Sequence, residues 1–170
     1  MTLSPELRAK AAAIKLFVTD VDGVWTDGRV TVHADGSESA TFSVQDGLGI
    51  SRLIAAGIEI VIISGRDNPA VRHRANRLGV QEVIMGSTDK GPLIERVCSA
   101  RGLEANEIAV IGDDLPDLEL FAVAGLSFAP PGAVSEVRTA ADIVTTSAGG
   151  HGSLRQACDI LLEAITSLKE

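Results

Sequence analysis

Asp20 and Asp22 close the apolar run Leu16-Phe17-Val18 and are followed at once by Gly23. Two carboxylates at i and i+2 that converge on one small volume repel each other, so they require a cation, a shared proton, or both. The alternative is an ordinary turn, because Asp and Gly are common turn residues. Three later segments carry matching chemistry: Ser64-Gly65-Arg66, Lys90, and Gly112-Asp113-Asp114-Leu115-Pro116-Asp117. Taken singly, Ser64 reads equally as a helix cap, Lys90 as a solvated first-turn lysine, and Gly112-Asp113-Asp114 as a capped turn. Taken together, four polar groups in this order, at or just beyond the ends of apolar runs, are not explained by separate turns.

The elements that must position them follow from the pattern of apolar residues. Ile14 to Val18, Ile58 to Ile63 and Ile108 to Ile111 are runs rich in branched and aromatic residues, interrupted only by Lys15, Glu59 and Ala109, the signature of strands buried on both faces of a parallel sheet. Helical periods lie between them. Ser4-Pro5-Glu6 opens a leading helix with a cap, a proline at its first turn and an acid. From Gly47 onwards Leu48, Ile50, Leu53 and Ile54 suggest one helical face ending at Gly57, and Asn68-Pro69 starts a helix bearing Arg72, His73, Arg74 and Arg77. Further units follow: a strand at 82–85, a helix from about 89 to 101, a helix near 118–124, a strand at 126–129, a helix near 133–140, a strand at 143–145 and a final amphipathic helix. Alternating β and α units predict a Rossmann-like three-layer α/β sandwich with a mostly parallel sheet, and parallel strands bring their C-terminal ends to one edge. Between the first strand and the next helix, Arg29 to His33 and Glu38 to Val44 flank Asp35-Gly36 and predict a projecting β-hairpin over about 28–44. Val30, Val32, Phe42 and Val44 would form its apolar face, which the domain body or a neighbouring subunit must cover.

Bulk properties narrow the partners. With 170 residues, 45% of them hydrophobic and 22% charged, the chain suits one domain over 1–170. A net charge of -8 argues against nucleic acid and anionic membranes, which need a basic footprint. A phosphorylated small molecule remains compatible if a metal and local cations offset the carboxylates. Met1 to Lys10 lacks the apolar core of a signal peptide and no stretch reaches spanning length, so a cytoplasmic protein is expected. Cys98 and Cys158 have no Cys or His at ligand spacing and read as buried thiols.

Asp20-x-Asp22-Gly23, Ser64-Gly65-Arg66, Lys90 and Gly112-Asp113-Asp114-x-x-Asp117 together resemble the four motifs of the haloacid dehalogenase superfamily of phosphotransferases, over nearly the whole chain. The resemblance implies an aspartyl-phosphate mechanism with Mg2+ as cofactor. Asp20 would be the nucleophile, and Asp22 the proton donor and acceptor. Asp20, the backbone carbonyl of Asp22 and Asp113 would hold the metal, with Asp114 and Asp117 behind them. Ser64 and the Gly65 N–H would bind a phosphoryl oxygen, while Lys90 would offset charge and hold Asp20 in line.

Only the hairpin interrupts the first two units, and Gly86-Ser87-Thr88 is too short for an insertion, so no cap domain is expected. Asp20 to Gly28, Val44 to Ile50, Ile63 to Asp67, the Gly112-Asp113-Asp114 segment and Gly149-Gly150-His151-Gly152 resemble the 3-deoxy-D-manno-octulosonate 8-phosphate phosphatase family. That likeness implies a phosphorylated keto-acid sugar as substrate, a role in lipopolysaccharide biosynthesis, and a homotetramer whose hairpins pack into a central barrel. Asp46, Arg66 and Arg74 become candidate sugar contacts beside Gly65, with Arg72 a further cation for the sugar carboxylate. Gln45 stands where the family often has arginine, and His151 where it often has Arg or Lys; both changes remove positive charge near the expected sugar end. Nonulosonate 9-phosphates fit the same kind of pocket. A phospho-receiver domain shares the acidic cluster, hydroxyl and lysine, but its acid pair precedes the phosphorylated strand, whereas here the pair with Gly23 is first. A non-catalytic oligomeric subunit would not need Asp20, Asp22, Lys90 and Asp113 intact.

Overall fold

β1 (Leu16–Thr19) is buried at every position and lies near the middle of a six-stranded sheet. The computed structural model describes residues 3–167. Around β1 the order is β5-β4-β1-β6-β7-β8, with β4 at Glu59–Ser64, β5 at Glu82–Met85, β6 at Ile108–Ile111, β7 at Leu126–Ala129 and β8 at Ile143–Val144, and every pairing is parallel. The chain runs outward from β1 through β4 to β5, then returns to β6 and runs the opposite way. That reversal puts a switch point between β1 and β6, where open α/β sheets form their ligand crevice. Leu16 is level with both Glu59 and Ile108, so the exits of β4, β1 and β6 lie side by side.

Side chains alternate across β1. Phe17 faces a layer formed by α1 (Pro5–Ala12), α2 (Val44–Ala55), α3 (Pro69–Leu78) and α7 (Ser153–Thr166), through Ala11, Ile50, Leu53, Val71, Leu154 and Leu161. Leu16 and Val18 face α4 (Gly91–Arg101) and α5 (Leu118–Val123), through Ile94, Val97 and Leu120. The short α6 (Ser135–Ala140) closes a satellite cluster around Val137. Cys98 and Cys158 are buried, unpaired thiols in these two layers.

The hairpin between β1 and α2 is short: β2 (Thr31–Val32) pairs with β3 (Glu38–Ser39), and Gly36 takes the left-handed conformation (φ +83°) that the turn requires. Three expectations are corrected here. Val44 is the first residue of α2, because the Ser43 hydroxyl accepts the N–H groups of Gln45 and Asp46 and starts the helix there. Phe42 turns back onto Trp25, edge to face with centroids 6.5 Å apart, while Val30 and Val32 stay exposed. Leu48 points away from the buried Ile50 and Leu53, leaving Val32, Val44 and Leu48 at 64%, 81% and 53% exposure on the hairpin and the start of α2.

Candidate active site

Directly after β1, the Asp20 N–H donates to the Ile111 carbonyl at 3.1 Å, which ties the end of β1 to β6. The Val21 carbonyl then accepts the N–H groups of Val24, Trp25 and Thr26, coiling the chain tightly. Trp25 Nε1 donates to the Thr19 hydroxyl at 2.9 Å and locks that coil on the strand. Gly23, at φ +81°, lies so close to Asp113 that a Cβ would overlap its carboxylate. Backbone freedom and close approach both demand glycine there.

Lys90 reaches into this corner from the start of α4. It occupies the cap position rather than the first turn, it is 3% exposed, and its ammonium donates to Asp20 Oδ1 and Asp117 Oδ1 at 2.6 Å each. Asp117 Oδ2 accepts the N–H groups of Asp113 and Asp114 at 2.8 and 3.1 Å. Asp117 is thus engaged on both oxygens. The Asp113 carboxylate accepts no hydrogen bond from the described residues, and Asp20 keeps one oxygen free of Lys90.

The electrostatics are those of an undercompensated cluster. One carboxylate oxygen from each of Asp20, Asp113 and Asp117 lies within 4.8 Å of the others, against one ammonium. Burial, then the Asp117 charge, push Asp20 up to about 8 despite the pull of Lys90. Burial, with Asp117 and Asp114, pushes Asp113 up to about 7. For Lys90, burial pulls downward but Asp20 and Asp117 more than offset it and hold the ammonium above its ordinary value. A hard divalent cation fits this donor set: oxygen ligands only, free oxygens on Asp20 and Asp113, and carboxylates that a cation would keep ionised.

These groups line a cleft of about 250 Å³ together with Asp22, Gly28, Gly65, Arg66, Thr88, Asp114 and Pro116. Asp22 is half-buried. The Arg66 guanidinium forms an ion pair with Glu38 of the hairpin, and its Nε lies 3.8 Å from Asp22. Ser64 is buried at the end of β4, where its Oγ accepts the Arg66 N–H at 3.4 Å; the cleft wall itself is formed by Gly65 and Arg66. Thr88 and Gly28 were not singled out by sequence, although Thr88 precedes Lys90 by two residues on the same loop.

Two expected sugar contacts do not line the cleft. Asp46 is 1% exposed and accepts the N–H groups of Arg155 at 2.7 Å and Gly152 at 3.3 Å. It caps α7, whose own cap residue, Gly152, has no side chain to do so. Arg74 packs its guanidinium against Gly47 on α2. Arg72 bonds the Val83 carbonyl at 3.3 Å and lies 3.7 Å from Asp67. Gln45 and His151 line a different cavity of about 320 Å³ with Arg155 and Gln156. The glycine-rich turn is pressed against the loop after Asp20: Gly150 N–H donates to the Val24 carbonyl at 3.0 Å, and a Cβ on Gly149 would overlap the Gly23 carbonyl.

A buried carboxylate at the exit of a central parallel strand, held by a lysine and flanked by a second acidic loop across the switch point, is an arrangement suited to phosphoryl transfer. Residues 78–154 match the family model of haloacid dehalogenase-like hydrolases. The 3-deoxy-D-manno-octulosonate 8-phosphate phosphatase of Haemophilus influenzae is 39% identical over 158 residues, covering 93% of this chain and 88% of that protein. The crystal structure of the phosphatase of the same name from Moraxella catarrhalis, in complex with magnesium, phosphate and 3-deoxy-D-manno-octulosonate, superposes with a TM-score of 0.94 at 38% identity, covering 98% of this chain and 96% of that one. The cobalt-bound Haemophilus influenzae enzyme gives a TM-score of 0.89 at 39% identity, with 92% of each chain covered. The chain belongs to the 3-deoxy-D-manno-octulosonate 8-phosphate phosphatase family of haloacid dehalogenase-like hydrolases.

Proposed function

We propose that this protein is a magnesium-dependent phosphomonoesterase that hydrolyses 3-deoxy-D-manno-octulosonate 8-phosphate through an aspartyl-phosphate on Asp20. The observation that carries the reading is Asp20 itself: buried at the exit of β1, fixed by Lys90 at 2.6 Å and set in a cleft with Asp22, Arg66 and Asp113. One Asp20 oxygen attacks phosphorus while the ester oxygen departs and takes a proton from Asp22. Asp22, now ionised, then takes a proton from the water that attacks the acyl phosphate, so inorganic phosphate leaves and both acids return to their starting state. Gly65 offers its N–H to a phosphoryl oxygen, with Ser64 fixing the turn behind it. Lys90 holds Asp20 in line and offsets negative charge. Asp20, the Asp22 carbonyl and Asp113 are the residues that would hold magnesium, with Asp114 and Asp117 behind; when bound, the cation offsets phosphoryl charge. Arg66 is the cation in the cleft wall suited to the sugar carboxylate.

The exposed apolar residues of the hairpin and of the start of α2 support a homotetramer in which neighbours cover that face and narrow the open cleft. No helix among the described residues is long and apolar enough to cross a membrane. We place the enzyme in the cytoplasm, supplying free octulosonate to lipopolysaccharide biosynthesis. The test is phosphate release from octulosonate 8-phosphate, nonulosonate 9-phosphates and hexose phosphates, with and without magnesium. Magnesium-dependent preference for the octulosonate ester is expected, and equal rates on hexose phosphates would refute the assignment.

A further inference from the structure

Lys90 stands where a helix normally carries its cap. Its backbone already has helical angles (φ −85°, ψ −24°) and its side chain makes no capping bond, because an ammonium has no acceptor to offer a backbone N–H; it donates instead to Asp20 and Asp117. The first N–H groups of α4 must therefore find acceptors elsewhere. One comes from the first turn of α5: Glu119 Oε2 accepts the Gly91 N–H at 2.6 Å, across 28 residues of sequence. A carboxylate there also meets the positive end of an 11-residue helix.

The arrangement is a two-point grip. Asp117 holds the ammonium of Lys90, and Glu119, two residues further on, holds the backbone of the next residue. A lysine has a flexible four-carbon stem, so two contacts at 2.6 Å are reproducible only if the backbone that carries it is fixed. We propose that Glu119 is a positioning residue of the active site: it pins the first turn of α4 to α5 so that Lys90 Nζ rests between Asp20 and Asp117. The inference rests on the roles given above to Asp20 and Lys90.

The experiment is a double-mutant cycle of Glu119→Ala and Lys90→Met with Glu119→Gln alongside, all in the full chain with magnesium. Two quantities are read: kcat on octulosonate 8-phosphate, and the affinity for inorganic phosphate by calorimetry, which needs no turnover. Glu119→Ala should lower kcat between about tenfold and a hundredfold, the range for a displaced catalytic group, with KM changing less. Glu119→Gln should stay within about threefold of wild type, because its amide oxygen accepts the same N–H. In the Lys90→Met background, Glu119→Ala should cause no further loss of phosphate affinity, whereas a merely structural residue would add its effect. Wild-type behaviour of Glu119→Ala, equal losses in Ala and Gln, or an additive cycle would each overturn the proposal. If the double variant does not fold, the comparison of Ala with Gln decides. If the wild type hydrolyses none of the esters, the substrate assignment fails separately, and undiminished phosphate affinity in Glu119→Ala still overturns the grip.

Discussion

Replacing Lys90 with methionine keeps the length of the side chain and removes the one ammonium among the described residues that donates to Asp20 and Asp117. Lys90, Asp20 and Asp117 are 3%, 6% and 1% exposed, so water does not screen the loss. Removing one partner of a buried ion pair costs about 3–5 kcal/mol when the remaining charges stay ionised. They need not stay ionised. Burial and the neighbouring carboxylates push Asp20 up to about 8 and Asp113 up to about 7, from the ordinary value of 3.8. Between these limits the native state binds protons that the unfolded chain has released, so stability falls as pH rises through the window and is level above it. Losing Lys90 moves both carboxyls further up and extends that fall to higher pH. The expected outcome in metal-free protein is a destabilisation of at most about 3–5 kcal/mol at pH 8 that is smaller by about 1–2 kcal/mol at pH 5.5, where Asp20 and Asp113 are protonated with or without Lys90, because about 1.4 kcal/mol per unit of pH accrues only where wild type has released a proton that the variant keeps. Magnesium bound to the folded state should restore part of the loss at pH 8. Urea unfolding at the two pH values, with chelator and then with magnesium, measures all of this. A loss equal at both pH values, or below about 1 kcal/mol at pH 8, would show that Lys90 is not the compensating charge of the cluster.

Asp20→Asn should abolish hydrolysis while raising the metal-free stability at pH 8, because it removes a nucleophile and a repelling charge but almost no volume; residual turnover near wild type would sink the mechanism. Asp113→Ala should raise the magnesium concentration needed for half-maximal activity by at least about tenfold, and an unchanged requirement would take Asp113 out of the ligand set. Val32→Asp should yield smaller species by light scattering with little change in protomer unfolding, since Val32 is 64% exposed; an unchanged size would refute hairpin-mediated assembly.

The sheet was legible because its strands are largely apolar runs that punctuation residues bound: Ile58 to Ile63 against β4 at Glu59–Ser64, Glu82 to Met85 against β5 and Ile108 to Ile111 against β6. Once the strands are parallel, the shared edge for Asp20, Ser64 and Asp113 follows without any side-chain information. The boundary of α2 was not legible. Val44 continues the alternation of Val30, Val32 and Phe42, and only the capping bonds of the Ser43 hydroxyl turn it into a helical residue. Leu48 failed for a different reason. It lies about 200° from Ile50 around a helix of 100° per residue, so its apolar character marks a surface between subunits or nothing, and residue type alone cannot say which face is the core.

The site divides in the same way. Residues whose role depends on reaching a neighbouring strand exit, Asp20, Lys90 and Asp113, were readable from order and residue type. Asp46 lies away from the cleft because its carboxylate answers a backbone deficit 106 residues away: the N-terminus of α7 begins at a glycine, and Asp46 supplies the missing acceptors. Gly149 and Gly150 are small because they press on the carbonyls and N–H groups of residues 23 to 27, in the loop that follows Asp20. Gln45 and His151 belong to that same supporting side, in a cavity separate from the cleft. Their lack of positive charge therefore leaves the cations that face the cleft, Lys90 and Arg66, unaltered, and the departure from the family pattern is no argument against an anionic sugar phosphate in this protomer's cleft.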